Sequence, residues 1–362
     1  MERLSLHEFH EGLGATFTLI NGAEAVGDYG EWTSEYAALH ETAGVLDFSF
    51  RSRLCLTGAD RSSFLHGQVT NDVKGLRVGE GCYAALITAK GKMESDLNIF
   101  CLADELLLDF EPGLTAKISE RLEKYIIADD VQAVDISPHY GLLSVQGPKA
   151  DAVASGLGVS VPEKPLSYVK VADPTLGDIY LMNQPRLGTK GYDLFVPVNA
   201  LGAVTDKLIA AAKSSGGRAC GWQAFETARI EAGLPRFGAD MDETNIPLEA
   251  GLEARAISFT KGCYIGQEVI SRIRTYGQVA KALRGLRLDD GLKNLPSRGD
   301  KLFHGEKESG YVTSAAASPK LRANIALGYV RKEANELGTE LILRTPRGES
   351  AARIVELPFR AA

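Results

Sequence analysis

The side chains with the clearest chemical potential in this sequence are a carboxylate in a hairpin, a lone arginine, an acidic run and a cysteine set between glycines. Asp96 lies in CYAALITAKGKMESDLNIF, a hairpin candidate turning at 89–91. Its second strand alternates Met93, Leu97 and Ile99 with Glu94, Asp96 and Asn98. Alternation puts Asp96 on the polar face, solvated in an ordinary sheet and a proton acceptor if that face borders a cleft. Arg229, one helical turn after Glu226, suits either a surface pair or an anchor for an anionic ligand. Asp240, Asp242, Glu243, Glu249 and Glu253 could bind a hard cation, but they lack the spacing of a calcium loop. Acids at the start of a following helix would also complement its dipole.

From 261 to 287 the charges are Lys261, Arg272, Arg274, Lys281, Arg284 and Arg287 against Glu268 alone. Such a stretch suits an anion or balances the acids before it. Within it, KGCYIGQE sets Cys263 between glycines and two residues from Lys261, a setting that favours a reactive thiolate. The other cysteines, Cys55, Cys82, Cys101 and Cys220, form no C-x-x-C pair, and the only close histidines are His7 and His10, so no metal site is expected.

These groups need elements to hold them. Helical spacing predicts a helix through Trp32, Tyr36, Leu39 and Ala43, capped by Thr33 and ended by Gly44. A second helix is predicted from Thr115 with the stripe Ile118, Leu122, Tyr125 and Ile126. A third runs from Trp222 through Phe225 to Ala232, closed by Gly233 and Pro235. Strands are predicted at RLCLT, CYAALIT, MESDLNIF, ELLLDF, LLSVQ, DIYLM and YDLFVPV, without regular βαβ alternation. After about residue 282 only strand candidates remain, such as LRGLRL, GYVTS, IALGYV, ELILR and ARIVEL, so this part reads as all-β.

The chain has 362 residues, 44% of them apolar, which is ample for sizeable cores. A net charge of −7 argues against a general nucleic-acid binder, and the absence of a signal-like N-terminus or an 18-residue apolar run leads us to expect a cytoplasmic protein that does not enter membranes.

Taken in order, HETAGVLDFSFRSRLCLTGADRSSFLHGQVTND, GKMESDLNIF, LLSVQGPKA, RIEAGLPRFGADMDETNIPLEAGL and SPKLRANIALGYV resemble segments of the glycine-cleavage T-protein (aminomethyltransferase) superfamily across nearly the whole chain. The resemblance implies an α+β, three-domain clover-leaf fold with a C-terminal β-barrel. It places residues 1–50 and 140–240 in a first, folate-binding domain, 51–139 and 241–281 in a second, and 282–362 in the barrel. It also implies a tetrahydrofolate ligand, or a one-carbon or polyglutamyl derivative, met by Tyr83, Asp96, Tyr192, Arg229 and Lys261.

KGCYIGQE resembles the signature of the YgfZ-type branch. That likeness implies iron–sulphur cluster assembly or repair and possibly tRNA modification, with iron–sulphur proteins as partners and Cys263 as the functional thiol. The alternative is folate-dependent aminomethyl transfer from a lipoyl carrier protein, because Asp96 falls on the acidic position that T-proteins use. The family segment G-E-x-G-[FY]-E appears as GTKGYDL, with Thr189 in the glutamate's place.

Overall fold

The computed structural model describes residues 3–360. They form two compact units, residues 3–84 with 95–226 and residues 85–94 with 227–360.

The first unit is mixed α+β. Its larger sheet runs in the order Tyr168–Asp173, Gly177–Asn183, Gly191–Pro197, Tyr140–Gln146, Gly44–Asp47 and Arg218–Ala219. Only the last pairing is parallel. One face is apolar because residues two apart share it: Leu143 and Val145, Tyr192, Leu194 and Val196 all enter one core. The helix Leu201–Ser214 closes that core with Leu201, Val204, Leu208 and Ala212. It was not read from the sequence, where its alanines blur the contrast between the two faces.

The other sheet runs in the order Gly81–Ile87, Met93–Cys101, Leu106–Phe110, Ser52–Thr57 and Gln132–Asp135. The hairpin tip at 85–94 belongs to the second unit. All seven strands expected in this half of the chain are present.

The helices differ in detail. The first begins at Trp32, with Glu31 rather than Thr33 at its cap and no side-chain hydrogen bond there. Gly44 starts a strand instead of ending that helix directly. The second stops at Glu123, so Ile118 and Leu122 are buried while Tyr125 is exposed, covered on one side by the Arg121 guanidinium 4.2 Å from its ring centre. The third runs Trp222–Glu231 as expected.

In the second unit the C-terminal segment is a closed barrel in the order Lys281–Leu288, Ala323–Arg331, Lys307–Ser318, Lys301–His304, Glu340–Thr345 and Gly348–Val355, the last strand pairing back to the first. Alternation sends Leu286, Leu288, Val312, Leu341, Leu343, Ala352 and Ile354 inward. Closure leaves no open strand edge. The mixed α+β class with a C-terminal barrel is therefore as expected. No helix among the described residues is long and apolar enough to cross a membrane.

Candidate active site

Asp96 sits in the strand Met93–Cys101, where Met93, Leu97 and Ile99 are fully buried and Asp96 is half-buried. The Tyr83 hydroxyl donates to its Oδ2 at 2.7 Å. This is the only side-chain hydrogen bond to the carboxylate among the described residues. Burial, reinforced by the Glu111 charge, pushes the Asp96 carboxyl above its ordinary value, while Tyr83 and Arg51 pull the other way. The result is a carboxylate that is oriented, poorly neutralised and reachable by solvent, which is what a proton acceptor or a hydrogen-bond partner for a ligand N–H requires.

Two residues along, Asn98 is buried rather than solvated, because it faces Asp109 across the strand pair and donates to its Oδ2 at 2.9 Å. Asp109 opens a polar network. Arg51 holds it through Nε at 2.7 Å and also binds Glu111, and Arg186 Nη2 reaches it at 2.7 Å. Arg186 Nε also donates to Asp193 at 2.8 Å, and Ser144 donates to Asp193 at 2.7 Å. Burial alone would raise the Asp109 carboxyl, but Arg51 and Arg186 outweigh it and hold it well below the usual range. The Asp193 carboxyl stays raised, because burial outweighs Arg186 there. Gln184 donates to Asn98 at 3.1 Å, yet its buried Oε1 accepts no hydrogen bond from the described residues. An orphaned acceptor in such a network is costly unless a donor arrives.

Sequence reading missed Arg51, Asp109, Glu111, Arg186 and Asp193. The available signal was an acid interrupting an apolar strand, at LLLDF and at YDLF. A charge there is stable only when paired.

Among the other expected site residues, Tyr192 points into the apolar core of the large sheet, on the face opposite its neighbour Asp193. Thr189 is exposed. Arg229, in the second unit, is 3% exposed, and it donates to Asp240 Oδ2 at 2.5 Å, Leu234 O at 2.7 Å and Ser314 Oγ at 3.1 Å. A β-bulge between Val312 and Ser314 brings Thr313 and Ser314 to the same side, and both donate to Asp240 Oδ1, at 2.6 and 2.7 Å. Arg229, which the sequence suited to either a surface pair or an anchor for an anionic ligand, thus forms a buried pair with Asp240.

The acidic run is dispersed into such contacts. Asp242 takes Arg298 at 2.7 Å and Glu253 lies 3.8 Å from Arg274. Among the described residues no three His, Cys, Asp or Glu side chains are grouped to hold a metal ion.

In KGCYIGQE, Lys261 is buried with its ammonium 4.8 Å from the centre of the Tyr264 ring. Burial pushes the Tyr264 hydroxyl up to about 12. Gly266 has φ +84°, and a Cβ there would lie 2.5 Å from Thr88 O of the hairpin tip. Its glycine is therefore demanded by backbone packing at the start of the helix Gln267–Tyr276. Cys263 is exposed, whereas Cys55 and Cys220 are buried with their thiols pushed up, chiefly by burial.

Residues 6–261 match the GCVT N-terminal domain and residues 281–360 match the glycine cleavage T-protein C-terminal barrel domain. The chain belongs to the glycine cleavage T-protein family. It is similar to a protein named aminomethyltransferase from Symbiobacterium thermophilum, 30% identical over 99% of this chain and 97% of that one. It is also similar to one of the same name from Halalkalibacterium halodurans, 29% identical over 99% and 98%. In fold it matches the crystal structure of glycine cleavage system aminomethyltransferase T from Bartonella henselae, with a TM-score of 0.90, 24% identity, and 99% and 98% coverage. Full-length similarity to proteins of this name overturns the expectation of iron–sulphur cluster assembly or repair with Cys263 as the functional thiol. That expectation rested on one octapeptide, and the packing of Gly266 gives part of it a structural cause.

Proposed function

We propose that this protein is a tetrahydrofolate-dependent aminomethyltransferase, taking a one-carbon unit from an aminomethylated lipoyl carrier protein. The observation that carries this reading is the raised, Tyr83-oriented carboxylate of Asp96 on the acidic position implied by the family resemblance.

The donor set suits a reduced folate. A pterin is rich in N–H groups, Asp96 is an acceptor open to solvent, and Gln184 Oε1 is a buried acceptor still lacking a donor. The folate supplies two nitrogens for the methylene group: the first, which faces Asp96, displaces ammonia and the second displaces the dihydrolipoyl thiol, so that two C–N bonds form as one C–N and one C–S bond break. Asp96 accepts a hydrogen bond from the first nitrogen, fixes its lone pair toward the methylene, and receives its proton as the new bond forms. Tyr83 holds the carboxylate in place. Positioning supplies the larger share of such catalysis.

Arg229 is given a structural role in this reading, since its charge is matched by Asp240. The branch-level likeness of KGCYIGQE is read as a packing segment, which leaves Cys263 without a catalytic role.

The test is a single-turnover assay with tetrahydrofolate and aminomethylated carrier protein. Wild type and Cys263→Ala should both turn over, and Asp96→Asn should be strongly impaired. Calorimetric titration should show saturable tetrahydrofolate binding in all three. Failure to bind the folate, or turnover indifferent to Asp96, would remove the proposal.

A further inference from the structure

The barrel carries a second feature that the aminomethyl reading does not use. On its outer face lies a cavity of about 400 Å³ lined by Lys281, Tyr311, Tyr329, Arg331 and the Lys301–Glu308 pair, with Glu249 at one side. Volume in this range is that of ordinary small-molecule sites.

Three observations point to a ligand. Lys281 and Arg331 are direct cross-strand partners, a pairing of like charges that costs stability unless something negative sits between them. Neither has a carboxylate in ion-pair contact among the described residues, whereas Lys301 is neutralised by Glu308 at 3.0 Å. Tyr329 is 1% exposed and its hydroxyl is buried without a hydrogen-bond partner among the described residues. Finally, Tyr311 and Tyr329 are also cross-strand neighbours, with ring centres 5.6 Å apart and planes tilted by 37°, and the Lys281 ammonium stands 4.6 Å from the Tyr329 ring centre while donating to the Tyr311 hydroxyl at 2.9 Å. Among the lining residues outside the Lys301–Glu308 pair, two cations face the Glu249 carboxylate and leave the cavity net positive, with Asp242 offsetting part of the Lys281 charge from nearby. The tyrosines add a flat apolar wall.

We propose that this cavity binds a small organic carboxylate with a flat apolar face. The carboxylate lies between Lys281 and Arg331, the guanidinium offers it a two-point contact, and the apolar part rests on the tyrosine pair.

Three probes separate the alternatives in titrations of the full chain: benzoate, benzamide and inorganic phosphate. Benzoate should bind saturably at millimolar concentration or below, benzamide at least tenfold more weakly because it lacks the charge, and phosphate more weakly because it lacks the face. Arg331→Met and Lys281→Met, both changes at solvent-reachable side chains, should each weaken benzoate about tenfold. Circular dichroism of each variant keeps loss of binding separate from loss of fold. Absence of saturable benzoate binding, equal affinity for benzamide, or unaltered affinity in both variants would overturn the proposal. Phosphate binding as tight as benzoate would overturn the organic carboxylate in favour of a bare oxyanion site. Folate titrations with Arg331→Met should match wild type, which keeps this test independent of the aminomethyltransferase reading.

Discussion

Asp96 in the first unit and Asp240 in the second are the same residue in opposite states. Asp240 is 1% exposed, receives Arg229, Thr313, Ser314 and the Arg236 N–H, and its carboxyl is held below the ordinary value although burial pulls it up. Asp96 receives only Tyr83 from a side chain, stays half-buried, and its carboxyl is raised. Burial acts on both. What differs is the number of donors, and that number separates a carboxylate that holds a fold from one free to accept a proton.

The largest effect that would test this contrast is on stability. Asp240→Ala removes the carboxylate from the buried Arg229–Asp240 pair, and breaking a buried pair in this way costs about 3–5 kcal/mol. Chemical denaturation should show that loss. A loss below about 1 kcal/mol would mean that Asp240 is not the structural member of the comparison.

Asp96→Asn should behave in the reverse manner. Single-turnover transfer falls on the order of 10²-fold, the usual worth of a positioned general base. Denaturation should show unchanged or slightly higher stability, since an amide removes a carboxyl whose ionisation burial opposes. A strongly destabilised Asp96→Asn would erase the distinction between the two residues.

The pH dependence follows with opposite signs. The Asp240 contribution to stability is complete above its ordinary carboxyl value and fades as pH falls through the lowered folded one. For Asp96 the folded state prefers the protonated form, so stability is greatest below the ordinary value and declines as pH rises through the raised one. Transfer needs the ionised carboxylate, so its rate should climb across that same interval. Denaturation midpoints and single-turnover rates measured over mildly acid pH check both slopes. A rate independent of pH there would remove Asp96 as the proton acceptor.

Much of the fold was legible because period-2 alternation is strong in strands such as MESDLNIF and across the barrel, where Leu286 and Leu288 or Leu341 and Leu343 each mark one face. The helix Leu201–Ser214 was not, since alanine serves both faces. Asp96 could be placed on the polar face of its strand because it alternates with apolar residues that are buried. Its surroundings were not legible, because Arg51, Asp109, Arg186 and Asp193 are brought together by strand pairing and loop closure across 142 positions, from 51 to 193, a relation that no local pattern carries. Arg229 was singled out as a ligand anchor or a surface pair, and its partner Asp240 depends on the bulge at Thr313, which the sequence does not announce.

The smallest expected effect isolates the one side-chain donor that Asp96 has among the described residues. Tyr83→Phe keeps the ring, which is 9% exposed, and deletes only the hydroxyl that reaches Oδ2. A hydrogen bond to a charged group contributes about 1.5–3 kcal/mol, and solvent at a half-buried carboxylate restores part of it, so transfer should slow by roughly three- to tenfold. Because that bond favours the ionised form, its loss should also move the rising limb of the pH–rate profile to higher pH. A structural role for Tyr83 would lower the rate without moving the limb. A shift together with modest slowing would place Asp96 still further from Asp240, with burial acting on a carboxylate stripped of its last side-chain donor.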